Sequence, residues 1–275
     1  MKERAEKRRR RKERKAARAE RTGKAAKAGK QSRVKEVIIG LLVAVLALGI
    51  GCVIYINDDY RASEEAMAMI ETPASEIHLI VDEEGRMIFE PEEATAGVIF
   101  YPGGKVEAES YAPLLSALAK EGILSVLVPM PANLAVLDVD AAEGIVEHYG
   151  DVENWYMAGH SLGGSMAASY LSEQTDSDYF KGLILLAAYS TEDFSATDLN
   201  VLTIYGDQDK VLNKDKYEKN YINLPVDYTR EEVIKGGNHA QFGDYGVQDG
   251  DGKAKISAKE QVKQTVKAIK EFIGE

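Results

Sequence analysis

Residues 152–168 read V-E-N-W-Y-M-A-G-H-S-L-G-G-S-M-A-A, and their pattern indicates both a local structure and a chemical role. Its apolar run W-Y-M has the composition of a β-strand, whereas the small residues that follow favour a helix. Ser161 therefore lies on the turn between a strand and a helix, with Gly159 and Gly163 two positions to either side. In this G-x-S-x-G pattern the glycines leave room for a serine held in a strained backbone conformation.

The strained turn has a chemical consequence for Ser161. It should lift the hydroxyl group away from the sheet and direct the backbone N–H of Leu162 at the same point, where that N–H can stabilise an oxyanion. An ordinary turn with an incidental serine is the alternative interpretation, because glycine and serine are common in turns. The strand–turn–helix context favours a nucleophile.

The composition divides the chain into two parts of opposite charge. The 275 residues are 45% hydrophobic, which is enough for one α/β domain with appendages. Residues 1–36 contain 17 of the 34 Lys and Arg residues but five of the 45 acidic residues, a net charge of +12. The rest of the chain carries −23. So acidic a domain makes a polyanionic substrate unattractive on long-range electrostatics.

Residues 37–56 are twenty consecutive residues without a charge, V-I-I-G-L-L-V-A-V-L-A-L-G-I-G-C-V-I-Y-I. As a helix this segment would be about 30 Å long, the thickness of the hydrocarbon core of a bilayer. The sequence therefore predicts a single-pass transmembrane helix. The basic residues 1–36 should stay in the cytoplasm, which places the domain after Asn57 on the extracytoplasmic side of the cell membrane.

The basic residues 1–36 are expected to lie against anionic membrane lipid. They include no aromatic residue that could stack on a base and no recognisable motif, so no nucleic-acid partner is expected. A cleavable signal peptide is the first alternative, but it would have a shorter charged lead and a cleavage site of small residues. Lipid attachment at Cys52 is the second, and the apolar residues that continue past the cysteine disfavour it.

Residues 57–74 are predicted to form a stem. Their segment E-E-A-M-A-M-I suggests a short helix, and the stem is interpreted as a plain spacer between membrane and domain. Tyr55 and Tyr60 would then lie near the outer membrane interface. The single cysteine, Cys52, excludes an intramolecular disulfide, so the domain at residues 75–275 must be stable through its core alone.

Strand-like and helix-like segments alternate from residue 75 onward. This alternation predicts an α/β fold with a mostly parallel central sheet and helices on both faces. In such a sheet the ligand site lies beyond the carboxyl ends of the strands. Besides the strand and helix around Ser161, the expected strands are 76–81, 86–90, 97–101, 123–128, 183–188, 201–205 and 228–234, and the expected helices are 111–118, 138–149, 215–222 and 258–272.

A serine nucleophile needs a base, normally an imidazole held by a carboxylate. The chain has four histidines, so the base can be sought by elimination. His78 lies inside the first strand, His148 ends a helix before the turn, and His160 is expected to face away from the nucleophile. His239 follows the last strand in the glycine-rich loop K-G-G-N-H-A, which makes it the candidate base. A surface loop histidine is the alternative.

The candidate acid follows the strand at 201–205, in the loop G-D-Q-D-K-V. Asp209 stands three residues beyond the glycine, where the loop has turned back towards the site. Asp207 is the alternative, although a short acidic side chain at its position often braces the turn. We favour Asp209, which gives the chain order Ser161, Asp209, His239.

The second oxyanion donor is expected in P-G-G-K, directly after the strand at 97–101. Glycines there allow the backbone to approach a tetrahedral intermediate closely. The N–H of Gly104 is the first choice and that of Lys105 the second. A simple turn into the following helix is an equally compatible interpretation.

The elbow at Ser161, the G-D-Q-D loop and the late His239 together resemble the α/β-hydrolase superfamily, over about residues 76–275. The strings F-Y-P-G-G-K-V and G-G-N-H-A-Q-F-G-D-Y-G are similar to those of a bacterial branch of small, often membrane-anchored α/β hydrolases of unsettled substrate. The resemblance implies a Ser-His-Asp hydrolase, most often acting on esters, with Ser161, Asp209 and His239 as its triad. Only residues 189–199 separate two strands where many esterases insert a cap, so a minimal cap and a nearly open site are implied.

The loop at 241–256 contains Asp244, Asp249 and Asp251 among four glycines. It faintly resembles a calcium loop, but it lacks the final acidic ligand of an EF-hand. A solvated loop on the rim of the site is favoured over a metal site. Phe242 and Tyr245 either line the substrate entrance or pin the loop to the core.

The sequence thus predicts a membrane-anchored serine hydrolase that acts on carboxylic esters of small acyl substrates. Ser161 would attack, His239 would move the proton, Asp209 would hold the imidazolium, and Leu162 and Gly104 would stabilise the oxyanion. No metal or organic cofactor is expected. The alternatives are a catalytically inactive binding or scaffold domain with the same fold, and a peptidase or acyltransferase with the same triad.

Overall fold

The computed structural model describes residues 2–56, 58–174 and 178–274, without the side chains of 2–5, 23–38, 40 and 52–56. The chain forms two units, Met1–Asn57 and Asp58–Glu275. The first contains the helix α1 (Lys2–Ile56). No helix in the described part of the chain is both long enough and apolar enough to cross a membrane. The span predicted at 37–56 falls partly on residues whose side chains lie outside the described set.

The second unit alternates strands and helices over most of its length, as the sequence predicts. In chain order its described elements are α2 (Glu64–Glu71), β1 (Ile77–Val81), β2 (Met87–Pro91), β3 (Ala96–Tyr101), α3 (Ala112–Lys120), β4 (Ile123–Leu127), α4 (Ile145–His148), β5 (Trp155–His160), α5 (Leu162–Ser172), β6 (Phe180–Leu186), β7 (Asn200–Gly206), α6 (Lys214–Asn220), β8 (Thr229–Ile234) and α7 (Ala258–Ile273).

The strands form one eight-stranded sheet in the order β1-β2-β4-β3-β5-β6-β7-β8. β1 and β2, which correspond to the expected strands 76–81 and 86–90, form an antiparallel hairpin with Val81 opposite Met87, and β2 is also antiparallel to β4. The neighbours from β4 to β8 all run parallel. The prediction of a mostly parallel sheet is confirmed, and the carboxyl ends of β3, β5, β7 and β8 lie at one edge.

Both faces of the sheet are buried because successive side chains of a strand point to opposite sides. In β3, Phe100 belongs to the apolar cluster that contains Leu115 of α3 and Ile269 of α7. The adjacent Ile99 belongs to the cluster on the other face, with Leu171 of α5. This two-sided burial explains why β3 is a continuous apolar run rather than an alternating one.

The structure differs from the predicted helix at 138–149, of which only α4 (Ile145–His148) is helical. Gly144 has φ 78°, in the left-handed region, which a right-handed helix cannot contain. The residues before it form turns. The apolar spacing alone did not reveal this break.

The predicted stem at 57–74 is not a plain spacer. Its helix exists as α2 (Glu64–Glu71), with the Ser63 hydroxyl oxygen accepting from the N–H of Ala66 at 3.0 Å. The second unit begins at Asp58 rather than at residue 75, because residues 58–71 pack against it and the Ala66 side chain is fully buried. Tyr60 lies in this unit, with its ring 5.5 Å from that of Tyr245.

Between β6 and β7 the chain inserts no helix or strand in residues 187–199, all of which are described. Phe194 anchors this short crossover by packing into the core. The edge of the sheet where the candidate residues lie therefore has no cap formed from that crossover.

Candidate active site

Ser161 occupies the predicted strained turn between β5 and α5. Its backbone has φ 52° and ψ −120°, a conformation that residues other than glycine rarely adopt. The flanking glycines make the turn sterically accessible. A Cβ on Gly159 would lie 2.5 Å from backbone atoms of Gly163 and Gly164, and one on Gly163 would lie 2.2 Å from the carbonyl oxygen of Tyr101. The first turn of α5 can therefore rest directly against β5 and β3.

His239 and Asp209 form a buried pair at the ends of β8 and β7. The His239 Nδ1 lies 2.8 Å from Asp209 Oδ2, and the two side chains are 1% and 0% exposed. A carboxylate can only accept, so Nδ1 carries the proton and Nε2 is left as the basic nitrogen. Asp209 Oδ1 accepts from the N–H groups of Val211 and Leu212, each at 2.8 Å. Both carboxylate oxygens are thus occupied, which fixes the orientation of the imidazole.

The histidine that precedes Ser161 brings the elbow and the His239 loop together. The ring centroids of His160 and His239 are 4.5 Å apart. The ring of Phe242 also packs on that of His160, with 5.6 Å between the centroids. The sequence predicted only that His160 faces away from the nucleophile. Its contact with the candidate base was not foreseen, since residues 160 and 239 are distant along the chain.

His160 is buried, which disfavours its charged form. Burial, followed by the neighbouring His239, lowers the pKa of His160 well below its usual value. The Tyr111 hydroxyl lies 2.7 Å from His160 Nδ1 and also accepts the N–H of Gly103 at 2.9 Å. With His160 Nδ1 unprotonated, that hydroxyl donates its one hydrogen to Nδ1 and accepts the Gly103 N–H through a lone pair. The sequence placed Tyr111 at the start of the helix expected at 111–118 and gave no sign of this role.

Asp207 braces the loop, as its alternative interpretation proposed. Its Oδ1 accepts from the Gly236 N–H at 2.7 Å and from the Gln208 side chain at 2.8 Å. The Gln208 contact and then the Gly236 N–H lower the pKa of this exposed carboxyl. The structure therefore joins Asp209, and not Asp207, to His239.

The loop after β3 offers one unoccupied donor at the elbow. Gly103 donates to Tyr111, and the N–H of Lys105 donates to the Asn133 carbonyl oxygen at 2.7 Å. Within the described residues the N–H groups of Gly104 and Leu162 donate to no acceptor. The two residues are adjacent, since a Cβ on Gly104 would lie 3.0 Å from Leu162 Cδ2. This arrangement suits Gly104 and Leu162 as a donor pair, and it leaves Lys105 unsuited.

The loop at 241–256 is a brace rather than a freely solvated rim. Asp251 accepts from the N–H of Lys210 at 3.2 Å and from that of Ala240 at 2.9 Å, so it connects the Asp209 loop to the His239 loop. Phe242 and Tyr245 are buried and pin the loop to the core. In the described ranges, no group of three His, Cys, Asp or Glu residues is arranged to hold a metal ion.

A buried glutamine clamps the backbone beside His239. Gln261 of α7 accepts the Asn238 N–H at 3.0 Å and donates to the Asn238 carbonyl oxygen at 2.8 Å. Its side chain is fully buried although α7 is polar overall. The sequence signal for this role is a polar residue on the apolar stripe of an amphipathic helix, and it was not predicted.

The two other histidines are excluded by their positions. His78 is exposed on β1 and lies 3.2 Å from Glu90. His148 is exposed at the end of α4 and packs on Tyr149. Of the four histidines, His239 is the one that the structure pairs with a buried carboxylate.

Comparison with known proteins identifies the family. The model of the alpha/beta hydrolase family matches residues 97–263. No curated protein matches the chain in sequence. Among similar solved structures, carboxyl esterase 2 from the mycorrhizal fungus Tuber melanosporum has a TM-score of 0.54 at 14% identity, over 79% of this chain and 91% of that one.

Two further solved structures share the fold. An esterase from Pyrobaculum calidifontis has a TM-score of 0.53 at 15% identity, over 75% of this chain and 88% of its own. TT1662 from Thermus thermophilus has a TM-score of 0.52 at 14% identity, over 72% and 99%. The family match covers more than half of the chain and includes the elbow, the Asp209 loop and His239. The chain therefore belongs to the alpha/beta hydrolase family.

Proposed function

We propose that this protein is a serine hydrolase that cleaves carboxylic esters through an acyl-enzyme. The observation that carries the proposal is the buried Asp209–His239 pair, whose imidazole packs against the residue preceding a serine with φ 52°. Strained backbone is costly and persists where it has a use. Nucleophilic catalysis requires a presented hydroxyl and an oriented base, and these two features supply them.

In the first half of the reaction, Ser161 Oγ attacks the carbonyl carbon of the ester and its proton passes to His239 Nε2. The negative charge that develops on the carbonyl oxygen is stabilised by the N–H groups of Leu162 and Gly104. The C–O bond to the alcohol then breaks, and His239 returns the proton to the leaving oxygen. Asp209 stabilises the imidazolium throughout.

In the second half, water attacks the acyl-enzyme. His239 takes a proton from this water, the oxyanion forms again beside Leu162 and Gly104, and the bond to Ser161 Oγ breaks as that oxygen is reprotonated. The products are a carboxylic acid and free enzyme. This sequence of steps uses only side chains and N–H groups of the chain itself.

Esters are the preferred substrate class for two reasons. Two solved structures with this fold, at 14% and 15% identity, are described as esterases. The short crossover at 187–199 also leaves the edge of the sheet without a cap from that segment, which suits small acyl substrates that need no enclosed acyl tunnel. Peptidase and acyltransferase activity would use the same residues with another leaving group or acceptor.

We further propose that the chain is anchored in the cell membrane by residues 37–56, with the basic residues 1–36 in the cytoplasm. The support is the run of twenty uncharged residues and the charge asymmetry around it. When membranes are isolated from cells that express the full chain, the protein should stay in the membrane fraction after alkaline extraction. Deletion of 37–56 should release it, and equal extraction of both chains would contradict the anchor.

The nucleophile is tested with a fluorophosphonate probe on the full chain in detergent. Wild-type protein should be labelled, and Ser161→Ala should lose labelling and about four to six orders of magnitude in kcat. Ser165→Ala is the matched control, because Ser165 lies one helical turn further on and donates to the Tyr189 carbonyl oxygen at 2.8 Å.

Equal labelling of wild type and Ser161→Ala would refute the assignment. A folded wild-type protein that turns over no ester, thioester or amide would instead favour the binding or scaffold function. A panel of acyl esters of graded chain length gives the acyl preference in the same assay.

A further inference from the structure

Residues 58–63, here called the strap, run along the loop that carries Gly104. The Tyr60 N–H donates to the Lys105 carbonyl oxygen at 2.7 Å, and the Glu107 N–H donates to the Tyr60 carbonyl oxygen at 3.0 Å. Tyr60 and Val106 form a parallel β-bridge. The strap therefore adds a short strand-like pairing directly after the candidate oxyanion donor.

The strap also holds the neighbouring loop after β4. Asp59 Oδ2 accepts from the side-chain amide of Asn133 at 2.8 Å, and the Asn133 carbonyl oxygen accepts the N–H of Lys105 at 2.7 Å. Asn133 and Ala132 have φ values of 53° and 52°, so this turn is strained and needs support. A chain of two hydrogen bonds thus links Asp59 to the peptide next to Gly104.

At its other edge the strap contacts the loop that follows His239. The Ser63 N–H and hydroxyl group donate to the backbone oxygen and the carboxylate of Asp244, at 2.8 and 2.5 Å. The Tyr60 hydroxyl accepts the Asp249 N–H at 3.2 Å, and its ring lies 5.5 Å from that of Tyr245. One segment therefore connects two of the loops that form the site.

These contacts fix the peptides on both sides of Gly104. The preceding N–H, of Gly103, is held by Tyr111, and the following residue, Lys105, has its N–H held by Asn133 and its carbonyl oxygen by Tyr60. An oxyanion donor acts only within a few tenths of an ångström of its proper place. The direction of the Gly104 N–H is consequently set in part by the strap.

We propose that the strap is a positioning element of the oxyanion hole, with Asp59 and Tyr60 as its positioning residues. This inference rests on the proposed function. It gives the segment next to the predicted membrane helix a role in the rate of the reaction as well as in stability. A strap with a purely structural role would change the melting temperature and leave the kinetic constants of the folded protein unchanged.

The test compares Asp59→Ala and Tyr60→Ala with wild type in the full chain, with active sites counted by fluorophosphonate labelling. Loss of a whole oxyanion donor costs about 10²- to 10³-fold in kcat, so a displaced one should cost about 10- to 100-fold. KM should stay within about twofold. Affinity for a trifluoromethyl ketone, which binds serine hydrolases as an oxyanion, should fall by the same factor as kcat.

Ala66→Gly is the matched control. Ala66 is buried in α2 just after the strap, and its methyl group makes no hydrogen bond to either loop. It should lower the melting temperature and leave kcat unchanged. Asp59→Asn retains an acceptor and should recover most of the rate. Asn133→Gly removes the hydrogen bond between Asn133 and Asp59 by deleting its donor, and glycine tolerates φ 53°. This variant replaces Asp59→Ala if Asp59→Ala does not fold.

Unchanged kcat and inhibitor affinity in the strap variants, with an active wild type, would overturn the strap proposal alone. A wild type that neither turns over nor labels would overturn the proposed function, and the strap proposal with it.

Discussion

Asp207 and Asp209 show how burial separates two identical side chains in one loop. Asp209 is buried, with one oxygen on His239 and the other on two backbone N–H groups. Asp207 is exposed and binds Gly236 and Gln208. The sequence favoured Asp209 because the loop should have turned back by that position, and the contact with His239 agrees with that reasoning.

Asp209→Asn should therefore reduce catalysis, whereas Asp207→Asn should reduce stability. In Asp209→Asn an amide replaces the carboxylate that fixes the Nδ1–H tautomer, so kcat should fall by about 10³- to 10⁴-fold with little change in KM. Asp207→Asn should lower the melting temperature and change kcat by less than about threefold. Steady-state kinetics on one ester substrate decide, and the reverse ranking would assign the acid to Asp207.

His160 makes the stability of the domain depend on pH. Its folded-state pKa is depressed by burial, so the folded protein keeps it neutral while the unfolded chain protonates it below about pH 6.5. The contribution of His160 to the free energy of unfolding is fully present above about pH 6.5. Below that pH the free energy of unfolding falls by up to about 1.4 kcal/mol per pH unit, because the unfolded chain binds one more proton than the folded protein.

His160→Gln should reduce that pH dependence while it keeps an acceptor for Tyr111. Urea unfolding at pH 5 and pH 7.5, followed by the fluorescence of the single tryptophan, Trp155, reports on the second unit, because this residue is buried in β5. The free energy of unfolding of wild type should fall more than that of the variant between the two pH values. Parallel losses would show that other groups control the acid sensitivity.

At the scale of elements, the contact between α5 and the sheet depends on glycines. Gly163 allows α5 to approach β3 closely. A Cβ added at Gly163 would lie 2.2 Å from the backbone oxygens of both Tyr101 and Pro102. Gly252 likewise brings the brace loop against the Asp209 loop, with 1.8 Å between an added Cβ and the Gln208 oxygen. The neighbours are backbone atoms, so no side-chain rotation can relieve either overlap.

Gly163→Ala should consequently lower the free energy of unfolding by several kcal/mol, within or above the 1–3 kcal/mol typical of overpacking. Gly150→Ala is the control, since an added Cβ there meets only an oxygen of Glu147 at 3.8 Å. Urea unfolding of the two variants gives the comparison. Equal stabilities would mean that α5 can shift away from β3 without cost.

At the scale of the whole chain, the border between the two units follows Asn57. The predicted border, after residue 74, assumed that a charged and alanine-rich segment is a spacer. The strap hydrogen bonds, together with Ala66 in the core, place residues 58–71 inside the second unit. The sequence offered no pattern for this, because strap pairing involves backbone groups that every residue possesses.

Limited proteolysis of the detergent-solubilised chain should therefore give a resistant fragment that begins near Asp58. Proteases need locally unfolded backbone, and hydrogen bonds hold the backbone of residues 60–63 on the domain. Proteinase K cleavage followed by intact-mass measurement gives the border. A fragment starting near residue 75 would show that the strap detaches readily.

Sequence alone determined the order of the elements, the mostly parallel sheet, the strained turn at Ser161 and the choice of His239 among four histidines. These features can be predicted because hydrophobic periodicity, glycine placement and the order of the motifs are visible in the sequence itself. The role of His160, the Tyr111 hydroxyl, the Gln261 clamp, the Asp251 brace and the strap was decided only in the tertiary structure. Each of these features joins residues that are far apart along the chain through hydrogen bonds or packing. Such pairs produce no periodic pattern in the sequence, because they come into contact only when the whole sheet is assembled.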